Sequence, residues 1–480
     1  MYIVSGSLRL GSGPGRGALL AATLASGMAF LDATIVNVAL PHLGVSLGAS
    51  LAGLQWTVNG YMLTLAAFVL LGGSLGDRYG RRRVFVVGVF WFSATSVLCG
   101  FALNVEWLIG ARVLQGLGAA LLVPGSLALI QSSFHPDERG KAIGAWTGLS
   151  GVATAAGPFI GGWLIDAISW RAIFFLNVPL ALVAVFAAAR WVPESRAPRV
   201  QRFDVAGALL AATGLAGITY ALIQSAGHGL RSLPVALSVA VGVGAAVAFV
   251  LLERRRGPAA MLPPSLFASR MFSALNIYTV SIYAALGGLS FFLVVFLQNV
   301  AGFSAVGAGA SILPTTLLML AGSSWSGALA SRIGPRPQLT VGPLVAAVGL
   351  LLLRRIGADA NFWTDVLPGT VVFGAGLTLL VAPLTAAVLG AVSDEHSGIA
   401  SGVNNAAARA GGLLAVAALP LLVGLSGTGY EHPDQLAAGF RGAMAWCAGL
   451  LAAGAVLALV LVHPSPRRPD RGRPSGGDNA

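Results

Sequence analysis

Fourteen predominantly apolar stretches, each parted from the next by a short polar break, leave this 480-residue chain little choice of fold. They run near 18–40, 52–75, 84–103, 107–131, 141–166, 171–191, 205–225, 233–252, 271–299, 305–330, 338–353, 363–389, 398–425 and 438–462. A helix rising 1.5 Å per residue needs roughly 20 residues to cross the hydrocarbon core of a bilayer. Inside that core each backbone polar group must find its partner within the helix. The expectation is therefore an all-α integral membrane protein with 14 spans. At 56% hydrophobic and 10% charged residues, with a mean hydropathy of +0.82, the chain lacks the polar surface of a soluble globule. The shortest run, 338–353, carries Pro343, and the parity of the count depends on it.

An even count puts both termini on one side. Of the 29 basic residues, 22 fall on that side and 5 on the other, while Arg112 and Arg409 lie within runs. The positive-inside rule then makes both termini cytoplasmic, with Arg354-Arg355 as a local exception. The net charge of +12 is thus a topology signal and does not call for a nucleic-acid partner. Cys99 and Cys447 both sit in apolar runs, so neither a disulfide framework nor a metal site is expected. The first run is too long and too acidic for a removable signal peptide and is read as helix 1. With 28 Arg against one Lys and abundant Ala and Gly, the composition suggests a GC-rich bacterial genome, hence a cytoplasmic membrane.

Of 17 acidic residues, only Asp32 lies deep in a run; the others fall in loops, in the tail or close to a run's end. A carboxylate taken out of water favours its neutral form, and an acid in a span marks function by default. All six histidines lie outside the runs, which leaves a histidine relay without material. Asp32 is the candidate proton carrier, against the plainer reading that it pairs with a base and ties two helices together. Arg112 lies at a compatible depth, within roughly 6 Å at 1.5 Å per residue. Its guanidinium stays charged and can serve as a fixed counter-ion, or it can snorkel to the headgroups.

The stretch Gly73-Ser-Leu75-Gly-Asp77-Arg78-Tyr-Gly80-Arg81-Arg82 resembles the loop motif between helices 2 and 3 of the major facilitator superfamily. Arg112-Val-Leu-Gln115-Gly116-Leu-Gly118 is similar to that family's basic helix 4 motif, and Gly157-Pro158-Phe-Ile-Gly161-Gly162 to the helix 5 motif of its antiporters. Leu31 to Pro41, the segment Trp170-Arg171-x-Ile-Phe-x-x-Asn177-Val-Pro179 and the stretch Gly398 to Gly412 resemble the 14-helix drug:proton antiporter branch. A repeat agrees with this. Gly327 to Arg336 matches Gly73 to Arg82 at five of ten positions, offset by 254 residues, as two parallel six-helix halves require. Ser331 stands where the first copy has Asp77, so the acidic member is missing from the second.

The resemblance implies two six-helix bundles plus two additional central helices. The divisions are a cytoplasmic N-terminus over 1–17, a first bundle over 18–191, a linker with the extra pair over 192–253, a loop and second bundle over 254–463, and a disordered tail over 464–480. It implies a proton-coupled antiporter exporting amphipathic or aromatic compounds by alternating access. Asp32 and Arg112 would couple the proton, Gly73, Asp77, Arg78, Gly80 and Arg81 would lock a gate, and Gly157, Pro158, Gly161 and Gly162 would bend helix 5. Asn37, Gln55, Trp56, Tyr61, Gln115, Tyr278, Asn405 and Arg409 are candidates for the substrate cavity. Arg409 lies near mid-membrane, where it would bind an anionic group or satisfy helix carbonyls. The proton gradient is the expected energy source, with no cofactor and no catalytic residues, and the chain is expected to act as a monomer. A dedicated metabolite or lipid exporter and an uptake symporter remain open. An integral-membrane transferase would need an acid pair, metal ligands or a phosphate site in a substantial loop, and the loops are short. A channel would need repeated polar rings.

Overall fold

The computed structural model describes residues 8–196, 204–229, 231–257, 260, 262–393, 397–427 and 429–462. Among them are fourteen helices long and apolar enough to cross a membrane. They are α1 (Gly13–Leu47), α2 (Leu51–Tyr79), α3 (Arg81–Gly100), α4 (Val105–Ser133), α5 (Pro136–Ala167), α6 (Ala172–Trp191), α7 (Val205–His228), α8 (Leu233–Arg256), α9 (Arg270–Asn299), α10 (Ala305–Ile333), α11 (Pro335–Leu353), α12 (Phe362–Gly390), α13 (Gly398–Leu422) and α14 (Pro433–Leu461). The starts follow capping chemistry: Ser12, Ser50, Asn104, Ser269 and Ser304 each accept a bond from a backbone amide of the first turn.

Several boundaries differ from expectation for local reasons. The first run was expected to end near Pro41, but α1 continues through Pro41 to Leu47 and stops at Gly48, whose φ of +60° closes the helix in the left-handed region. Beyond the proline Leu43 is buried and Leu47 half-buried, and their packing offsets the one lost backbone bond. Asp32 therefore lies near the middle of α1, 15 residues before its end. Two spans are interrupted: α6 breaks between Phe175 and Asn177, and α10 between Ala310 and Leu313, just before Pro314. The span with Pro343 is a full helix from Pro335. The expected tail over 464–480 lies outside the described residues.

In the first half α1 packs on α4, α5 and α6, α2 on α4, and α3 on α4 and α6. In the second, α9 packs on α13 and α14, and α11 on α12 and α14. The extra pair attaches through α7, which rests on both α2 and α13, and α8 packs on the outside of α7. The repeat has a structural counterpart. Gly80 (φ +114°) joins α2 to α3 and Gly334 (φ +84°) joins α10 to α11, separated by the same 254 residues. A side chain at either position would be strained.

The face where α1 begins carries Arg78, Arg81, Arg82, Arg83, Arg254 and Arg255 and is called here the basic face. At the opposite face hydrogen bonds staple the halves together. Gln55 Nε2 donates to the carbonyls of Val416 (2.6 Å) and Ala417 (3.2 Å), and Gln298 Nε2 to that of Val38 (2.9 Å). Tyr430 Oη donates to the Ala49 carbonyl (2.6 Å), and the Leu51 amide to that of Gly427 (3.1 Å). Asp166, at the end of α5, accepts from the Ala305 and Val306 amides (3.2 and 3.0 Å) at the start of α10. Its charge thus faces the positive end of that helix. The conformation is closed at this far face.

Candidate functional site

The inside of the first half is built around one ion pair. Asp32 of α1 pairs with Arg112 of α4, and the two are 2% and 1% exposed. Gln115, one turn along α4, donates to Asp32 Oδ1 (3.0 Å) and accepts from Arg112 Nη1 (2.8 Å). Asn177 Nδ2 reaches Asp32 Oδ1 at 3.5 Å and Ser96 Oγ at 3.0 Å. Arg112 Nε donates to the Thr57 carbonyl (3.2 Å), and its guanidinium lies 4.3 Å from the centre of the Tyr61 ring. Tyr61 in turn donates to the Ala29 carbonyl (3.2 Å). One carboxylate and one guanidinium thereby tie together α1, α2, α4 and α6, and Asn177 adds α3 through Ser96.

Such a pair survives burial only when its remaining donors and acceptors are also satisfied, and here they nearly all are. Arg112 thus does not snorkel. The break in α6 has a use as well, since it brings Asn177, at the first turn of the longer segment, towards Asp32. Asn177 stood within the segment that resembles the antiporter branch, but the sequence carried no signal of this partner.

The glycines of α5 explain how α1 is held. A Cβ on Gly157 would collide with Thr34 Oγ1, and one on Gly161 would lie 2.7 Å from Ile35. A Cβ on Gly162 would lie 2.6 Å from the Val306 backbone, and one on Gly309 would strike the Pro158 carbonyl. Gly157 and Gly161 thus set α5 directly on the helix that carries Asp32, while Gly162 and Pro158 form its contact with α10. Pro158 lies within the continuous helix Pro136–Ala167, where it leaves one carbonyl without a backbone donor.

At the basic face Asp77 Oδ1 accepts from Arg81 Nε at 2.8 Å. Gly80 lies between them and Arg78 rests 5.6 Å from the Tyr79 ring centre. Gly73 approaches Pro124 of α4, with 3.7 Å left for a Cβ. The second acid at this loop, Glu194, was not singled out from sequence. It accepts from the Arg82 and Arg83 amides (3.0 and 3.2 Å) and caps α3. Its position three residues after α6 was the only available signal. In the second copy Ser331 turns back to its own helix, donating to the Ala328 carbonyl (2.7 Å).

The proposed cavity residues divide. Gln55 belongs to the far-face staple, Gln115 and Tyr61 to the cage of the ion pair, and Tyr278 to the second half, where it donates to the Leu339 carbonyl (2.9 Å). Trp56 faces the extra pair, 6.2 Å from the Tyr220 ring. Asn37 bonds the Ala33 carbonyl of its own helix (3.2 Å), and Asn405 is exposed. Asn404, its neighbour, donates to Thr279 Oγ1 (2.7 Å). Arg409 stands near the middle of α13, within electrostatic reach of Tyr61 and Tyr283. Its Nε is buried without a hydrogen-bond partner among the described residues.

Fourteen spans in two parallel halves, a charged pair inside the first and a staple across one face define a polytopic membrane transporter. Residues 22–416 match the Major Facilitator Superfamily, and the chain belongs to that family. It is 38% identical over 403 residues to the tetracenomycin C resistance and export protein of Streptomyces glaucescens, covering 84% of this chain and 74% of that one. It is 36% identical over 412 residues to the methylenomycin A resistance protein of Bacillus subtilis, covering 85% and 87%. It is also 36% identical to the multidrug resistance protein Stp of Mycobacterium tuberculosis, over 84% and 74%. Among solved structures, the peptide transporter POT in complex with sulfate superposes with a TM-score of 0.69 at 15% identity, covering 95% and 96%. A bacterial homologue of the human lysosomal transporter Spinster, inward-facing and occupied, gives 0.68 at 18%, covering 94% and 97%. Family membership makes the chain a transporter, and a membrane transferase is set aside.

Proposed function

We propose that the protein exports amphipathic or aromatic small molecules in exchange for protons, from a bacterial cytoplasmic membrane with its basic face towards the cytoplasm. The observation that carries this reading is the buried Asp32–Arg112 pair. Buried charges are tolerated while paired, and separating them strands a carboxylate that is best neutralised by a proton. Movement of α1 against α4 as the far face opens would trade the guanidinium for a proton, and closure would return it. The gradient is then the energy source, with no cofactor. Arg409, whose Nε has no hydrogen-bond partner among the described residues and whose charge is felt by Tyr61 and Tyr283, is the handle for an anionic or π-rich substrate group.

Export rather than uptake is favoured because the relatives are named as resistance and export proteins. A dedicated exporter of a single compound is the second reading, favoured by relatives named for one antibiotic each. Inverted vesicles with an imposed proton gradient test both, using a panel of lipophilic cations and aromatic dyes. Substrate-dependent proton release that disappears in Asp32→Asn is the expected result. Full coupled transport by that variant overturns the role of Asp32, and a panel left untouched by the wild-type protein points to the single-compound reading.

A further inference from the structure

At the basic end of the extra pair, two carboxyl groups occupy a site for which the transport cycle has no use. Asp204 caps α7: its Oδ1 accepts from the Gly207 amide at 2.5 Å and pairs with Arg256 at the end of α8. Glu253, one turn before Arg256, accepts through Oε2 from the Leu262 amide at 2.6 Å. The two side chains are only 4% and 3% exposed, and the carboxyl groups lie close enough to act on each other. Yet Asp204 Oδ2 and Glu253 Oε1 are both buried without a donor among the described residues. Arg256 is the further charged side chain that acts most directly on the pair.

If both groups were carboxylates, two negative charges would meet over one guanidinium, with two acceptors left unsatisfied. Each such orphan is costly to leave unpaired, and like charges in contact cost more. One proton between Oδ2 and Oε1 removes both penalties. It turns two orphaned acceptors into a single O–H···O bond and makes the Asp204, Glu253 and Arg256 triad neutral. We propose that Asp204 and Glu253 form a second proton-binding site, holding one proton in common and separate from Asp32.

The site sits where a proton can report to the moving parts. It ties the head of α7 to the end of α8, and through the Leu262 amide it holds the segment leading into α9, the first helix of the second half. Helix α7 itself rests on α2 and α13, one helix from each half. Loss of the proton sets two like charges against each other and loosens both the cap and the tie to Leu262. The occupancy of the pair thus conveys the pH at the basic face to the seam between the halves.

Infrared spectroscopy of the full-length protein in lipid vesicles, titrated with pH, tests the assignment through the carbonyl stretch of a neutral carboxyl. The wild-type protein is expected to show such a band at neutral pH and to lose it under alkaline conditions. Because the proton is shared, Glu253→Gln and Asp204→Asn should each abolish the band, since either remaining carboxylate is left alone with Arg256. Asp32→Asn should leave it in place. Survival of the band in either dyad variant, or its loss in Asp32→Asn, overturns the proposal. If neither dyad variant folds, the wild-type titration still decides, because a protein with no titrating neutral-carboxyl band has no shared proton.

Discussion

Replacing Asp32 by asparagine changes one charge and almost nothing else, which makes it the sharpest probe of the ion pair. Asparagine keeps an oxygen where Gln115 and Asn177 donate, at 3.0 and 3.5 Å. Neutral bonds of this kind average only about 0.6 kcal/mol within a membrane, so their retention or loss decides little. What is lost is the counter-charge of a guanidinium that is 1% exposed. Stranding one member of a buried pair costs about 3–5 kcal/mol. Arg112 has the Thr57 carbonyl, Gln115 and the face of Tyr61 in both forms, so these contacts do not change the difference. A net destabilisation of about 3–5 kcal/mol is expected for Asp32→Asn. The double variant Asp32→Asn with Arg112→Met should recover most of it, because no charge then remains buried. Equilibrium unfolding in mixed micelles, followed by tryptophan fluorescence, measures the cycle. If the single variant matches the wild type, or the double variant is worse than the sum of both singles, the argument that the charges hold each other in place is wrong.

Asp166→Asn should favour opening of the far face, since a carboxylate at a helix start is worth about 0.3–1 kcal/mol; a shift of two- to five-fold is expected in the populations seen by spin-label distances between α5 and α10. Gly80→Ala and Gly334→Ala both force a side chain into positive φ, at a cost of about 1–2 kcal/mol each. Only at Gly80 would the new Cβ also press on Glu194, at 2.8 Å, whereas Gly334 has open space, so thermal unfolding should show the larger loss at Gly80. Burial pushes the Tyr430 hydroxyl from 10.0 up to about 12, with Glu431 adding to the effect. A raised value means that its contribution is complete below pH 10.0 and is lost as pH rises through about 12. Closure of the far face should weaken over that window, and Tyr430→Phe should remove this alkaline limb in the same distance measurement.

Much was legible before any coordinates. Run length fixes the element type in a bilayer, because a lipid-exposed backbone has no other way to satisfy itself, so fourteen spans followed from hydropathy alone. The repeat of Gly73–Arg82 at Gly327–Arg336 announced two parallel halves, and it reappears as Gly80 and Gly334 at matching corners. Asp32 stood out because it is the one acid deep in an apolar run, and depth was enough to nominate Arg112. Helix ends were less legible. Pro41 reads locally as a stop, but α1 runs past it because packing outweighs a single missing bond.

What the tertiary structure alone decided is which polar side chains meet. Hydropathy measures the cost of burying a residue and says nothing of the partner that offsets it. Gln55 and Gln115 look alike in sequence, yet one staples the two halves and the other cages the ion pair. Tyr61 and Tyr278 both read as cavity aromatics, and both are spent on carbonyls inside their own halves. Asn177, Glu194 and Asp166 act through partners 145, 112 and about 140 residues away. Asp204 and Glu253, 49 residues apart, meet because α7 and α8 fold back on each other and bring the head of one to the end of the other. Periodicity carries the shape of each helix, and the geometry between helices carries the chemistry.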